Sequence, residues 1–142
     1  MKITRTGSAV WQGGLKDGKG SISTESGALK AYPYGFATRF EGARGSNPEE
    51  LIAAAHASCF TMALSLILGN AGFVAEQMDT KAAVTIAQVG EGFEISSSHL
   101  TLRARIPNID QARFAELAGM AKAGCPVSKV LKTEISLDAS LV

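Results

Sequence analysis

The sequence predicts an α+β fold, in which antiparallel strands are set against one long buried helix and a second, amphipathic helix. Three observations carry that expectation. Residues 51–68 are almost all apolar or small and are bracketed by helix start and stop signals. Residues 81–89 and 93–106 alternate as strands do, and in the second Leu100, Leu102 and Ala104 interleave with Thr101, Arg103 and Arg105. A second helical period then places Phe114, Leu117 and Ala121 on one face. At 142 residues the chain has the size of one domain, expected to span 1–142, and can bury a core without a metal or disulfide staple.

The elements follow in order. Thr4, Thr6, Ser8 and Val10 lie on one face of a period-two pattern that leads into Trp11. The glycine-dense run Gly13-Gly14-Leu15-Lys16-Asp17-Gly18-Lys19-Gly20 reads as a hairpin region, after which 21–24 continues as a strand. Residues 34–40 are expected to form another strand, and 42–46 a loop. Asn47-Pro48-Glu49-Glu50 then supplies an N-cap residue, a proline at the first helical position and two carboxylates in the first turn. Glu50, three residues after Asn47, completes a pattern like a capping box. Gly69-Asn70 closes this helix. Its 18 or so apolar positions sit at the lower edge of a bilayer span. The polar residues His56, Ser58, Cys59, Thr61 and Ser65, with no aromatic or basic anchors around them, favour a buried helix instead. A helix apolar on every side needs burial on every side, and in a short chain a second copy can provide it, so a homodimer is expected. Farther on, Gly90-Glu91-Gly92 joins the two long strands and Asn108-Ile109-Asp110 opens the second helix. Gly124-Cys125-Pro126 breaks that helix, one or two helical turns follow over 127–131, and 134–141 ends as a strand.

Charge is nearly balanced, with 14 Lys and Arg against 13 Asp and Glu. There is no basic run, so neither nucleic acid nor a membrane surface is an expected partner. The first residues, Met1-Lys2-Ile3-Thr4-Arg5, lack the apolar stretch of a secretory signal, and a cytoplasmic location is expected. In a reducing cytosol, two cysteines are more readily reactive, metal-bound or simply buried than permanently bridged.

Cys59 lies near the middle of the long helix, among the small residues Ala54, Ala55 and Ser58. Packing as a small hydrophobe is its bland role. A chemical role needs a thiolate, and burial alone raises a thiol pKa. A guanidinium corrects this, because it is always charged and its fork can hold both a sulfur and a carboxylate. Such donors also polarise an O–O bond and stabilise a departing alkoxide. Arg39, in the run Thr38-Arg39-Phe40-Glu41 ahead of the helix, is the candidate cation. Glu49 is the candidate carboxylate that orients it, either from the same chain or from a partner copy. It lies ten residues before Cys59, about 15 Å along a helix axis, and its plain role is to complement the helix dipole. Cys125, between Gly124 and Pro126, has backbone freedom before it and a helix start after it, as a resolving cysteine requires. His56 reads as a hydrogen-bonded core residue, and His56, Cys59 and Cys125 lack the paired spacing of a metal site. His99 has no acid–base neighbour in the sequence. Phosphate-loop, dinucleotide and serine-elbow motifs do not occur, so no cofactor and no metal is expected.

The run Ser46-Asn47-Pro48-Glu49-Glu50-Leu51-Ile52-Ala53-Ala54-Ala55-His56-Ala57-Ser58-Cys59-Phe60 resembles the central helix signature of the OsmC/Ohr family. Ala123-Gly124-Cys125-Pro126-Val127-Ser128 resembles its second cysteine motif, and Trp11-Gln12-Gly13, residues 23–27 and Tyr34-Gly35-Phe36 resemble the OsmC branch. The resemblance implies an intertwined homodimer with two interfacial sites and a thiol peroxidase that prefers organic over inorganic peroxide. It casts Cys59 as the peroxidatic cysteine, Cys125 as the resolving one, Glu49 as the site glutamate, and Arg39 as the OsmC-branch arginine. A dithiol reductant, lipoyl-type in the family, would reset the disulfide. The competing readings are a non-enzymatic stress protein that holds an apolar ligand in the dimer, a structural zinc protein, and a hydrolase built on Cys59 and His56.

Overall fold

The computed structural model describes residues 1–142 and divides into two compact units, Met1–Pro48 and Glu49–Val142. In the first, β1 (Gly7–Gln12), β2 (Lys19–Thr24) and β3 (Tyr32–Tyr34) form an antiparallel sheet in that order, followed by α1 (Phe36–Phe40). The expected hairpin joins β1 to β2, with Gln12 paired to Lys19. The expected strand over 34–40 is corrected: it ends at Tyr34, and α1 takes its place. A local contact holds the start of α1. Thr38 Oγ1 accepts the Gly35 N–H at 2.8 Å, while its own proton faces the carbonyls of Gly35 and Ser46 at 3.0 and 2.8 Å. That hydroxyl fastens the helix start to the loop leading out of the unit. Gly45 makes the close approach possible, with φ at 156° and a Cβ position that would fall 2.4 Å from Thr38 Cγ2.

The second unit starts with α2 (Pro48–Asn70), which carries Glu49 and Glu50 in its first turn as the sequence predicts. The hairpin of β4 (Gln77–Val89) and β5 (Gly92–Arg105) follows, turning at Gly90 with φ at 60°. Next come α3 (Gln111–Gly124), α4 (Pro126–Val130) and β6 (Glu134–Leu141). The order in the sheet is β4-β5-β6. Here the expectation of purely antiparallel strands is corrected, because β6 pairs parallel to β5. A parallel neighbour requires a long crossover, and α3 with α4 provides it.

The core of this unit joins α2, β5 and α3. Phe60, Leu64 and Leu68 from α2 meet Leu100, Leu102 and Ala104 from β5, and Phe114, Leu117 and Ala121 from α3. The two alternating faces read from β5 are as expected: Leu100 and Leu102 are fully buried, and Thr101 and Arg103 are exposed. On α2, however, only one stripe is covered by its own chain. Met62 is 77% and Leu66 66% exposed. Burial on all sides therefore does not hold within a single chain. The helix is long and apolar enough to cross a membrane by length and composition, with mean hydropathy 1.9 over its best window. Yet its buried stripe packs on a sheet and a second helix, as the core helix of a globular unit does.

Asp110 caps α3 by accepting the Arg113 N–H at 2.7 Å, an interaction typically worth about 1 kcal/mol. Phe114, fully buried one turn later, contributes far more. In urea denaturation followed by circular dichroism, Asp110→Ala is expected to cost about 1 kcal/mol and Phe114→Ala about 3–5 kcal/mol. Equal losses for the two would contradict this placement of the core.

Candidate active site

Both cysteines belong to the second unit, and the fold brings them together. Cys59 is on α2, one position before the buried Phe60, so it borders the core while remaining partly accessible. Cys125 is fully buried at the break between α3 and α4, where it caps both helices. Its N–H continues α3 by donating to the Ala121 carbonyl at 3.0 Å, and its own carbonyl accepts the Lys129 N–H at 3.1 Å to begin α4. Pro126 at the first position of α4 turns the chain between the two helices without leaving an N–H unpaired. The two sulfurs are close enough for each to shift the other's thiol pKa, and both are free thiols.

Their environments differ in sign. Burial pushes the Cys59 thiol above its ordinary value, and the neighbouring Cys125 adds to the rise, against a smaller opposing pull from the Val127 N–H. Burial pushes Cys125 the same way. There, however, hydrogen bonds from the Cys59 thiol, from the Ser128 N–H and hydroxyl, and from the Val127 N–H together bring the thiol below its ordinary value. Of the two sulfurs, Cys125 is thus the better place for negative charge. Access runs the other way: an incoming molecule can reach Cys59, whereas Cys125 has no exposed surface.

His56 is the core residue the sequence suggests, but its partners were not visible there. Its ring is fully buried, with Nδ1 2.6 Å from Ser98 Oγ on β5 and Nε2 2.8 Å from Ser128 Oγ on α4. These serines lie 42 and 72 positions away in the chain. Ser128 stands in the motif Cys125-Pro126-Val127-Ser128, and that polar residue three after the cysteine was the one sequence signal available. His99 is also corrected: Asp138 on β6 lies 3.1 Å from its Nε2 and Ser136 2.6 Å from its Nδ1, because the parallel strand places them beside it.

Glu49 sits in the first turn of α2, 7% exposed. Being ten residues before Cys59 on one helix, it is about 15 Å from it along the axis. Arg39 belongs to the first unit, on α1 rather than on a strand, with its guanidinium carbon 5.3 Å from the centre of the Phe40 ring. There it borders an aromatic pocket of about 250 Å³ formed with Trp11, Tyr34, Phe36 and Phe40.

The paired cysteines, one midway along a long helix and one at a helix break, are the arrangement to compare with known proteins. Residues 41–140 match the family described as OsmC-like protein. The chain belongs to the OsmC-like family. It is 55% identical over 141 residues to the peroxiredoxin OsmC of Escherichia coli K12, covering 99% of each chain. It is 30% identical over 101 residues to an organic hydroperoxide resistance protein of Xanthomonas axonopodis pv. citri, covering 70% of this chain and 69% of that one. Among solved structures, OhrB of Bacillus subtilis superimposes with a TM-score of 0.71 at 25% identity, covering 96% of this chain and 98% of that one. An OsmC-like protein of Vibrio cholerae gives a TM-score of 0.76 at 13% identity, covering 98% and 100%, and shares the OsmC-like fold.

Burial lowers the His56 pKa from 6.5. Once unfolded, this histidine takes up a proton as the pH falls through about 6.5, while the folded one takes it up only at lower pH. The unfolded state then binds more protons, so stability is present above that pH and declines below it. His56→Gln is expected to be less stable near neutrality but to lose less stability than wild type between about pH 7.5 and 5.5. Denaturation midpoints at the two pH values measure this, and parallel losses in the two proteins would refute a buried neutral His56.

Proposed function

We propose that this chain is a thiol-dependent peroxidase that reduces organic hydroperoxides to alcohols, with Cys59 as the attacking sulfur and Cys125 as its resolving partner. The observation that carries this reading is the contact between a partly accessible Cys59 and a wholly buried Cys125. A peroxide has to reach the sulfur it oxidises, whereas the resolving sulfur only has to reach its neighbour. In the first step the Cys59 thiolate attacks the terminal peroxide oxygen. An S–O bond forms, the O–O bond breaks, and the alkoxide takes a proton and leaves as alcohol. In the second, the Cys125 sulfur attacks the Cys59 sulfenic acid, forming the disulfide as hydroxide leaves and is protonated to water. An external dithiol, of lipoyl type, then exchanges with the disulfide and restores both thiols. A cytoplasmic location suits this cycle, since both cysteines have to be returned to thiols.

Burial disfavours the Cys59 thiolate, so the first step needs a cation beside it. Arg39 is the residue assigned to that task and Glu49 the carboxylate that orients it. The chain acts as a homodimer. The uncovered side of α2 calls for a partner: Met62 and Leu66 are exposed, and an open groove of about 940 Å³ runs between Ala57, Thr61 and Ser65 of α2 and Met78 and Thr80 of β4. A second copy, bringing the same apolar helix, is the occupant that satisfies both surfaces at once.

Peroxide consumption driven by a dithiol tests the chemistry. Cumene hydroperoxide is expected to turn over faster than hydrogen peroxide. Cys59→Ser is expected to abolish turnover, while Cys125→Ser lets Cys59 over-oxidise to sulfinic acid. If wild type consumes neither peroxide with any dithiol, the enzyme reading fails and a bound apolar ligand becomes the better account. The assembly is tested separately by sedimentation. Wild type is expected to run as a dimer, and Leu66→Glu, which buries a charge in the proposed interface, is expected to run as a monomer. A monomeric wild type would rule the dimer out.

A further inference from the structure

We propose that Ser136, His99 and Asp138 form a second catalytic site, in which Ser136 is a nucleophile that accepts acyl groups from small activated esters and His99 is its base. The site uses neither cysteine, so this proposal and the peroxidase reading stand or fall separately.

The three residues share one face of the sheet in the second unit. Along β5, Leu100 and Leu102 turn into the core, so His99 and Thr101 project from the other face. Along β6, Ile135, Leu137 and Ala139 pack against the core, which puts Ser136 and Asp138 on the face of His99. The parallel register sets Ser136 level with His99, and Asp138 level with Thr101. The imidazole thus meets both side chains, with Ser136 Oγ 2.6 Å from Nδ1 and Asp138 Oδ2 3.1 Å from Nε2. None of the three lines the groove assigned to the second copy. The His99 side chain is 39% exposed and Ser136 is partly exposed, so a small molecule can reach both.

The two partners divide the roles of the ring nitrogens. A carboxylate only accepts, so Asp138 keeps the proton of the neutral imidazole on Nε2. Nδ1 is left with its lone pair, and the Ser136 hydroxyl has to be the donor. A serine that donates to an imidazole whose far nitrogen is held by a carboxylate is the arrangement of a hydrolytic triad, here with the two nitrogens exchanged. The edge of the sheet offers donors for a developing oxyanion. β6 is an outer strand, and the N–H groups on its far side meet no strand of this chain. On β4, the position opposite His99 is Ala83, whose small side chain leaves the ring uncovered. Such open surroundings suit short acyl groups with good leaving groups, since no walls enclose a large substrate.

The cycle balances with water as the only other reagent. Ser136 Oγ attacks the ester carbonyl carbon as its proton moves to His99 Nδ1. The tetrahedral intermediate collapses, the bond to the leaving oxygen breaks, and that oxygen departs as an alcohol with the proton from Nδ1. Water then gives a proton to Nδ1 and attacks the acyl carbon. The carboxylic acid is released, and Ser136 Oγ recovers its proton from Nδ1. Ester and water have become acid and alcohol. Asp138 touches no reacting atom and is a positioning residue. Its side chain is 81% exposed, so solvent screens its charge and limits its effect.

A fluorophosphonate that labels activated serines, followed by peptide mass mapping, tests the nucleophile in the wild-type protein. An adduct on Ser136 is expected. Ser136→Ala is expected to lose it while peroxide turnover is unchanged. His99→Gln is expected to slow labelling by at least about a hundredfold. Asp138→Asn is expected to slow it by about tenfold, with recovery in Asp138→Glu. Hydrolysis of 4-nitrophenyl acetate is then followed in a Cys59→Ser, Cys125→Ser background, because thiols also take acyl groups. The same ranking of variants is expected there. An unlabelled Ser136, or labelling that His99→Gln leaves at the wild-type rate, would overturn the proposal. A wild type that labels at Ser136 but consumes no peroxide loses the peroxidase reading and keeps this one.

Discussion

The rest of the second unit depends on one stripe of α2. His56, Phe60, Leu64 and Leu68 recur every fourth residue and are all buried. In an α-helix that spacing lies nearly along one face. Three of the four are apolar and press on β5 and α3, which fixes the rotation of the helix about its own axis. Cys59, one position before Phe60, is therefore held at the edge of the contact, where one side meets the core and the other stays accessible. His56, one turn earlier on the same stripe, has to enter the interior. It is tolerated there because two serines from different elements meet its nitrogens, since an unpaired buried imidazole would be destabilising.

The break between α3 and α4 brings the other half of the site to that edge. Phe114, Leu117 and Ala121 anchor α3 in the same core as Phe60 and Leu64, so the position of its last turn follows from that packing. Cys125 ends α3, and Pro126 starts α4 in a new direction. Ser128 is then carried back toward His56. The relation between Cys59, Cys125, Ser128 and His56 thus depends on helix packing and not on any loop. A site on such elements is held more closely than one on loops.

Much of this was legible in the sequence, and what was not has a physical reason. The start of α2, the alternation of β5, the cap of α3 and the break at Cys125 are local signals, written in residues adjacent to the elements they specify. The sequence expects a strand over 34–40 that carries Arg39, whereas α1 (Phe36–Phe40) holds it. The deciding interactions were the Thr38 hydroxyl closing on Gly35 and on Ser46, which is eight positions away. The Ser98–His56–Ser128 line and the His99–Asp138 pair were invisible because each depends on which strands and helices become neighbours. The parallel docking of β6 on β5 in particular has no local mark. The apolar character of α2 reads as a demand for burial on every side, yet within this chain only one stripe of it is buried.

The two sulfurs then present an apparent conflict: the accessible one is the poorer thiolate and the better thiolate is inaccessible. The conflict dissolves if the pair is treated as one acid with a mobile proton. A permanently ionised, accessible Cys59 would be open to every oxidant and electrophile that reached it. A buried neighbour that favours negative charge more than Cys59 does is out of reach of such molecules. A cation arriving at Cys59 reverses the preference by drawing the charge onto the accessible sulfur. Partial burial of Cys59 and full burial of Cys125 are therefore not competing claims about which residue reacts. One sulfur is placed to meet an incoming molecule, and the other to meet only its neighbour.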